Sequence, residues 1–540
     1  MKSSKLLRWL IPVLIGLVTF GMLLATNPDI GLTWDEPAYI AAQESYANWF
    51  EELFTHPQTA LNEQTLTKAW QVNSEHPPVD KVWSALVWSV ARNFSDDLTA
   101  HRMGNMLLVS IMAALLYYWM KESFGYVAGF TAVAALFTMP RFFFHAHLSA
   151  LDVPATFAVF ITTFVFWQIK DKSKWTWGIL LGVVWGIALA TKINAIFLPF
   201  TLGLWWLIFN RKSKLFWRLV FMGLFAIPVF FVSWPWLYQH TIQRLVTYIG
   251  FVTVNHWQIG QYYLGQFFMP PPWHFGFVIL WAVLPLSLIL LFLIGVIQNR
   301  SGKRDNGLGW LFFISALTPV VVIAVSRSIV YDDERMYMAA FPFIAGLAGI
   351  GLSWLAIGLK KLSTRWNKAV LYPVGLTLLV LLAFAPQLIT MIKLYPHYLS
   401  YYGEGVGGLK GATKMGLETT YWCETYAMTL DIINAQAEPG DKIWTDPYSY
   451  DVLIYYQTQG KLRDDLVVTN PQAAATVLGD KVPNPRVVAL VQNDWFIFHH
   501  HQTMLGWDGN NSNYLKILAK QTKVFEYSFD GVPIMTLYKK

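Results

Sequence analysis

The sequence predicts a mainly helical membrane protein, with about eleven spans and an α/β domain on its outer side. Three observations lead there. The 540 residues are 55% apolar and only 14% charged, with 26 Trp, where an average soluble domain is about 25% charged. Apolar runs of spanning length recur from the N-terminus to about residue 392. Beyond about 393 hydrophobicity falls, and short strand-like runs alternate with helical ones. So apolar a chain excludes a soluble enzyme of this size, and its composition excludes disordered, collagen-like and disulfide-scaffold classes. The net charge of +7 is no nucleic-acid signal, because the basic residues cluster between apolar runs. The single cysteine, Cys423, forms no intrachain disulfide and reads as an inert small residue.

The elements follow in order. A basic start, MKSSKLLRW, precedes an apolar run and resembles a signal peptide. It reads as an uncleaved first span, because no small-x-small cleavage site follows. Spans are expected near 8–26, 100–120, 126–140, 146–169, 176–191, 193–210, 215–235, 274–297, 307–325, 336–358 and 369–392. Basic clusters at Lys2/Lys5/Arg8, Lys121, Lys170/Lys172/Lys174, Arg211/Lys212/Lys214, Arg300/Lys303/Arg304 and Lys360/Lys361/Arg365/Lys368 then share one side. The Lys/Arg rule makes that side cytoplasmic, with the N-terminus in it and the C-terminal domain outside. Within the outer loop 27–99, residues 37–54 and 80–93 have helical periodicity. Trp83, Leu86, Val87 and Val90 are apolar there; Lys81, Ser84 and Arg92 are polar. Amphipathic helices lying at the interface fit, placed to wall a site at the membrane surface. The expected division is therefore a transmembrane domain, 1–392, and an extracytoplasmic α/β domain, 393–540. In the latter, 424–438 reads as helix and KIWTD, LVVT and RVVALVQ as buried strands. KVFEYSF and PIMTLYK form a hairpin about Asp530-Gly531.

In such a chain an ionisable group at the outer boundary is costly unless paired or solvated. Asp35 and Glu36 follow the first span in TWDEPAY. Two adjacent carboxylates suit a general base or a metal site; blandly read, Asp35 caps a helix. Glu75 and His76 precede two prolines at the start of the second interfacial helix. Asp152 lies just inside the expected fourth span, after Arg141, His145 and His147. Lys192 sits between spans five and six, either snorkelling or facing an anion. His256 lies in a long aromatic outer loop. Arg327 and Arg335 flank Asp332, Asp333 and Glu334, a set that also reads as mutually paired surface charge. Cations, carboxylates and apolar helices on one face are what a lipid-linked phosphate requires. Cations offset its charge, helices hold its tail, and a carboxylate is left to take a proton.

In order along residues 5–425, TWDEPAY, EHPP, HRMGN, LDVPATF, ATKINAIFLP, YYLGQFFMPPPWHF, ERMYMAAFPFIAGLAG and YPHYLSYYGEGVGG resemble the GT-C integral-membrane glycosyltransferases. The similarity is to the protein O-mannosyltransferase/aminoarabinose-transferase group (glycosyltransferase family 39-like). The resemblance implies a GT-C fold and an inverting, single-displacement transfer. A sugar leaves a polyprenyl-phosphate carrier for a protein, glycan or lipid acceptor at the extracytoplasmic face, as in the bacterial inner membrane. It implies Asp35 as general base, Glu36 in support and Asp152 as a second acid for orientation or acceptor contact. His76 stands where the aminoarabinose transferases carry lysine, and His76, Arg102, Lys192 and Arg335 are the candidates to contact the donor phosphate or substrate. It further implies a divalent metal on Glu75 and His256, and otherwise no cofactor. Two other classes compete, a secondary transporter and a non-catalytic lipid-binding membrane protein. The first favours inverted repeats and a midplane site, whereas this sequence shows no repeat and collects its charges near one face.

Overall fold

The computed structural model describes residues 5–172, 174–211, 215–254, 258–299, 307–446, 449–470, 473, 485–507 and 511–540. Among these, seven helices are long and apolar enough to cross a membrane, and a bent pair makes an eighth. Three shorter apolar helices, Tyr126–Phe137, Trp177–Thr191 and Ile193–Phe209, stand where the remaining expected spans lie. The helix Phe341–Arg365 is buried from Phe341 to Ser353 and central there, packed on Leu286–Gln298, Tyr126–Phe137 and Leu371–Leu394. Lys5–Thr26 lies at the periphery and exposes Leu10, Leu14, Leu17 and Val18, as a lipid-facing helix does.

Small residues set one close helix pair. Gly178, Gly182 and Gly186 recur every fourth position on Trp177–Thr191, facing Phe221, Phe225 and Val229 of Leu215–Val232. A Cβ on Gly186 would lie 2.6 Å from that of Val229, so these backbones approach only because the side chains are absent.

The eighth expected span, 274–297, is not one helix. Phe275–Val283 and Leu286–Gln298 meet at 117°. Leu284 before Pro285 is extended, at φ −93° and ψ 139°, because a proline disfavours helical backbone in the residue before it. The fourth span also starts later than expected. Residues 146–151 form turns, and the helix Asp152–Ile169 begins at the aspartate. Asp152 therefore sits at a helix N-terminus, where the backbone dipole favours a carboxylate.

Both expected interfacial helices form, Glu36–Thr55 and Val79–Ala91. The second is turned opposite to a soluble amphipathic helix. Lys81 and Ser84 are buried, whereas Leu86 and Val90 are 55% and 65% exposed. In contact with hydrocarbon, the apolar face belongs outside and the polar face against the protein.

A hairpin, β1 (Gln261–Tyr263) and β2 (Gln266–Phe268), precedes the bent pair. The C-terminal sheet contains β3 (Lys442–Asp446), β4 (Val467–Val468), β5 (Trp495–His499), β6 (Thr522–Phe529) and β7 (Val532–Lys539), in the order β4-β3-β5-β7-β6. β3 runs parallel to β4 and β5; β7 runs antiparallel to β5 and β6. KIWTD is a strand as expected, and LVVT is one over two residues. RVVALVQ is not: Pro485–Leu490 is helical, and WFIFH supplies the central strand. The hairpin turns at Asp530 and Gly531, both with positive φ, as a two-residue type I′ turn requires. Residues 394–422 pack into the large helical core, together with Ile534 of β7.

Candidate active site

The turn after the first helix delivers two acids to different places. Glu36 points inward and is fully buried. Its oxygens accept from Arg102 Nε and Nη2, each at 2.7 Å, from the Thr33 N–H and hydroxyl, and from the Ser149 N–H. Arg102 is equally buried, and its remaining N–H groups reach Asn27 Oδ1 and the carbonyls of Ile30 and Gly31. All five donors of the guanidinium are thereby used. This corrects two expectations. Arg102 has no donor left for a phosphate, and Glu36 is the anchor of a structural clamp that ties the first turn to the helix Asp97–Phe124.

Asp35 points the other way and stays about one quarter exposed. It pairs with Arg335, the hub of the second cluster. Arg335 Nε donates to Asp152 Oδ2 at 2.9 Å and Nη1 to Asp332 Oδ2 at 2.9 Å, while its Cζ lies 4.5 Å from the centre of the Trp422 ring. Lys192 Nζ donates to Asp152 Oδ1 at 2.7 Å. Asp152 thus holds two cations side by side, and the fold brings Asp35, Asp152, Lys192 and Arg335 together.

A crevice opens from this cluster between Asp152–Ile169, Leu198–Phe209 and Leu308–Ser326. Asp152, Lys192 and Arg335 line its polar end; Ala155, Val159, Leu198, Pro319, Val322 and Ile323 line its body. The charged groups gather on one wall and the rest is mostly apolar, with Thr156, Asn194, Thr201, Ser315 and Thr318 among it, the shape of a site for an amphiphile with an anionic head.

The loop bearing Asp332 is pinned from below. Arg141 Nη1 donates to Asp333 Oδ2 at 3.1 Å and Glu334 Oε2 at 2.6 Å, with all three groups buried. Tyr402 donates to Asp333 and Tyr421 to Glu334. Asp332–Glu334 therefore form an interior ion network rather than paired surface charge. Asp332 was named in the sequence only as one of an acidic run, and Trp422 was not singled out. DDER directly before an apolar span was the available signal for Asp332; Trp422 is one tryptophan among many.

Burial pushes the Asp332 carboxyl up to about 7, against Arg335 and with help from Asp35. Burial raises Asp35 as well, opposed by Arg335 and assisted by Asp152. The folded state then holds a proton on Asp332 that an unfolded carboxyl, near about 3.9, has released. Between those values the folded form binds more protons, so stability present at low pH is lost as pH rises toward 7. Asp332→Asn is expected to reduce the pH slope of thermal unfolding between pH 4 and 7 by about one proton. An unchanged slope would refute the assignment.

The other candidates make contacts of their own. Glu75 Oε1 accepts from Asn73 Nδ2 at 3.0 Å, and the His76 ring lies 6.3 Å from that of Tyr39. The buried Lys81 ammonium donates to Asn73 Oδ1 and to the carbonyls of Asn73 and His76. His256 lies outside the described residues. Among the described residues, the group with metal-ligand spacing is Glu44, Asp97 and His101, without Glu75.

Residues 75–236 match the family model described as dolichyl-phosphate-mannose-protein mannosyltransferase. The fold is similar to ArnT from Cupriavidus metallidurans in the apo state, with a TM-score of 0.51 at 14% identity, over 98% of this chain and 97% of that one. ArnT bound to undecaprenyl phosphate aligns with a TM-score of 0.48, at the same identity and coverage. The oligosaccharyltransferase AglB from Archaeoglobus fulgidus, in complex with an inhibitory peptide and a dolichol-phosphate, gives 0.49 at 11% identity, over 96% of this chain and 74% of that one. No curated protein matches the sequence. The chain has the GT-C fold with a C-terminal sheet, and the resemblance carried by its motifs is to the group these comparisons return.

Proposed function

We propose that this chain is an inverting glycosyltransferase that takes a sugar from a polyprenyl-phosphate carrier. The acceptor is a protein, glycan or lipid at the extracytoplasmic membrane face. The crevice carries the reading: Lys192 and Arg335 stand at the polar end of an apolar channel, with Asp35 on the far side of Arg335. The family description matched by residues 75–236 names a donor of the same lipid-phosphate class. The basic clusters argue for the opposite face as cytoplasmic. Residues 1–392 then hold most of the site, Trp422 reaches it from the following segment, and the rest of 393–540 forms the outer domain.

The acceptor hydroxyl loses its proton to Asp35, and its oxygen attacks the anomeric carbon. The carbon–oxygen bond to the carrier phosphate breaks, and the electron pair leaves on the phosphate. Lys192 and Arg335 stabilise that charge. Asp152 acts as their positioning residue, because it bonds to both. A phosphate arriving at Arg335 competes with Asp35 for the guanidinium, so the base is released when donor is present.

The test uses purified protein in liposomes with labelled polyprenyl-phosphate sugars. Transfer from at least one donor is expected, with undecaprenyl phosphate as a competitor. Lys192→Met removes one charge-assisted contact of about 1.5–3 kcal/mol, so donor KM should rise about 10–100-fold. Failure to consume any such donor, or a KM unmoved by Lys192→Met, would sink the reading.

A further inference from the structure

A second site lies outside the crevice, where the first interfacial helix crosses the start of the helix Asp97–Phe124. His101 is fully buried. Its Nδ1 lies 2.7 Å from Gln43 Oε1, and Gln43 Nε2 donates in turn to Ser149 Oγ at 2.6 Å. An amide oxygen only accepts, so Nδ1 carries the proton and the lone pair of the neutral ring is on Nε2. That Nε2 is buried without a hydrogen-bond partner. It faces Asp97 Oδ1 at 3.6 Å and Glu44 Oε1 at 3.7 Å, and all three ligand atoms lie within 4.8 Å of one another.

These separations are too long for hydrogen bonds. They fit the edges of a coordination polyhedron. Ligands about 2.1 Å from a tetrahedral ion are about 3.4 Å apart. The surroundings are those of a metal-ligating histidine, whose second nitrogen is held by a fixed acceptor. The Trp88 ring stacks on His101 at 4.8 Å, and the Trp88 indole N–H donates to Asp97 Oδ1 at 3.1 Å. Glu44 is 46% exposed, which leaves an entry path and room for a water in the fourth position.

We propose that Glu44, Asp97 and His101 bind a divalent transition-metal ion of the zinc class. The ion ties three parts of the molecule together. Glu44 lies on the helix that begins at Glu36, Asp97 and His101 open the spanning helix, and Asp97 Oδ2 accepts from Tyr455 of the C-terminal region at 2.9 Å. The line His101, Gln43, Ser149, Glu36 leads to the turn that carries Asp35. The ion is a clip that fixes this turn, and the assignment is independent of the transfer reaction.

The experiment titrates chelator-stripped, full-length protein in detergent with zinc, using a competing fluorescent indicator, and repeats it with cobalt(II) to record the visible bands of a tetrahedral ion. The wild type is expected to bind one equivalent through this site. Glu44→Gln, a half-exposed position that leaves the fold intact, should weaken that equivalent by at least about tenfold. His101→Gln should abolish it together with the cobalt bands. Three results would overturn the proposal: wild type that binds no zinc, Glu44→Gln that binds as wild type, or an equivalent removed by Glu75→Gln instead.

Discussion

Asp35→Asn is expected to fold and bind its lipid-linked donor, yet to transfer sugar about 10²–10⁴-fold more slowly, the range a positioned general base contributes. Asparagine keeps the size of the side chain. Arg335 keeps Asp152 and Asp332 as partners, so the cluster does not collapse when Asp35 loses its charge. The loss should appear in kcat, with donor KM at or below that of wild type, because the missing interaction belongs to proton removal and the neutral amide competes less for Arg335. A carboxyl raised by burial is also a better base near neutrality than an ordinary one. Single-turnover measurements in liposomes would show it, and wild-type turnover in Asp35→Asn would end the assignment.

What could be read of the fold beforehand was whatever depends on long windows. Spanning runs, the two interfacial helices and the terminal hairpin each rest on many residues or on a turn with one chemistry. Short windows misled. RVVALVQ is apolar and rich in β-branched residues, and so short a run does not distinguish strand from helix. The strand that occupies the sheet centre, WFIFH, is buried along its whole length and has no alternation to announce it. The break at Pro285 was visible as a residue but not as an angle. Proline bends some spans sharply and is absorbed by others, such as Leu308–Ser326 with Pro319 inside it.

The site was legible because charge is scarce. Asp35, Asp152, Lys192 and Arg335 stood out at the outer boundary of the spans, and the fold brings them together. Their partners were not legible, because pairing is a long-range property: Arg335 and Asp35 are 300 positions apart. Asp35 and Glu36 illustrate the same limit over one residue. Adjacent helical positions project about 100° apart, so one acid faces the cation cluster and its neighbour enters the core. Nothing in TWDEPAY distinguishes them. The buried Nε2 of His101 was equally hidden: Asp97 and His101 stand one helical turn apart, but nothing along the chain ties Glu44 to them.

The second large effect follows from that difference and is one of stability. Glu36 and Arg102 are both fully buried, and each satisfies the other. Removing one partner of such a pair leaves the other charged group desolvated and unpaired, at a cost of about 3–5 kcal/mol. Arg102→Met is expected to cost about that much, since Glu36 would retain only Thr33 and Ser149 against its charge. Glu36→Gln should cost a similar amount, because it strands the buried Arg102 charge and sets an NH2 against N–H donors that one carboxylate oxygen now accepts. The double change Glu36→Met with Arg102→Met should recover part of the loss, because no charge is then stranded and the remaining cost lies with Asn27 and the freed carbonyls. Thermal unfolding in detergent, with the yield of monodisperse protein, would measure all three. Arg102→Met that unfolds like wild type but binds donor more weakly would return Arg102 to the phosphate and dissolve the clamp. The expected pattern is the reverse: little folded protein, and normal donor affinity in what remains.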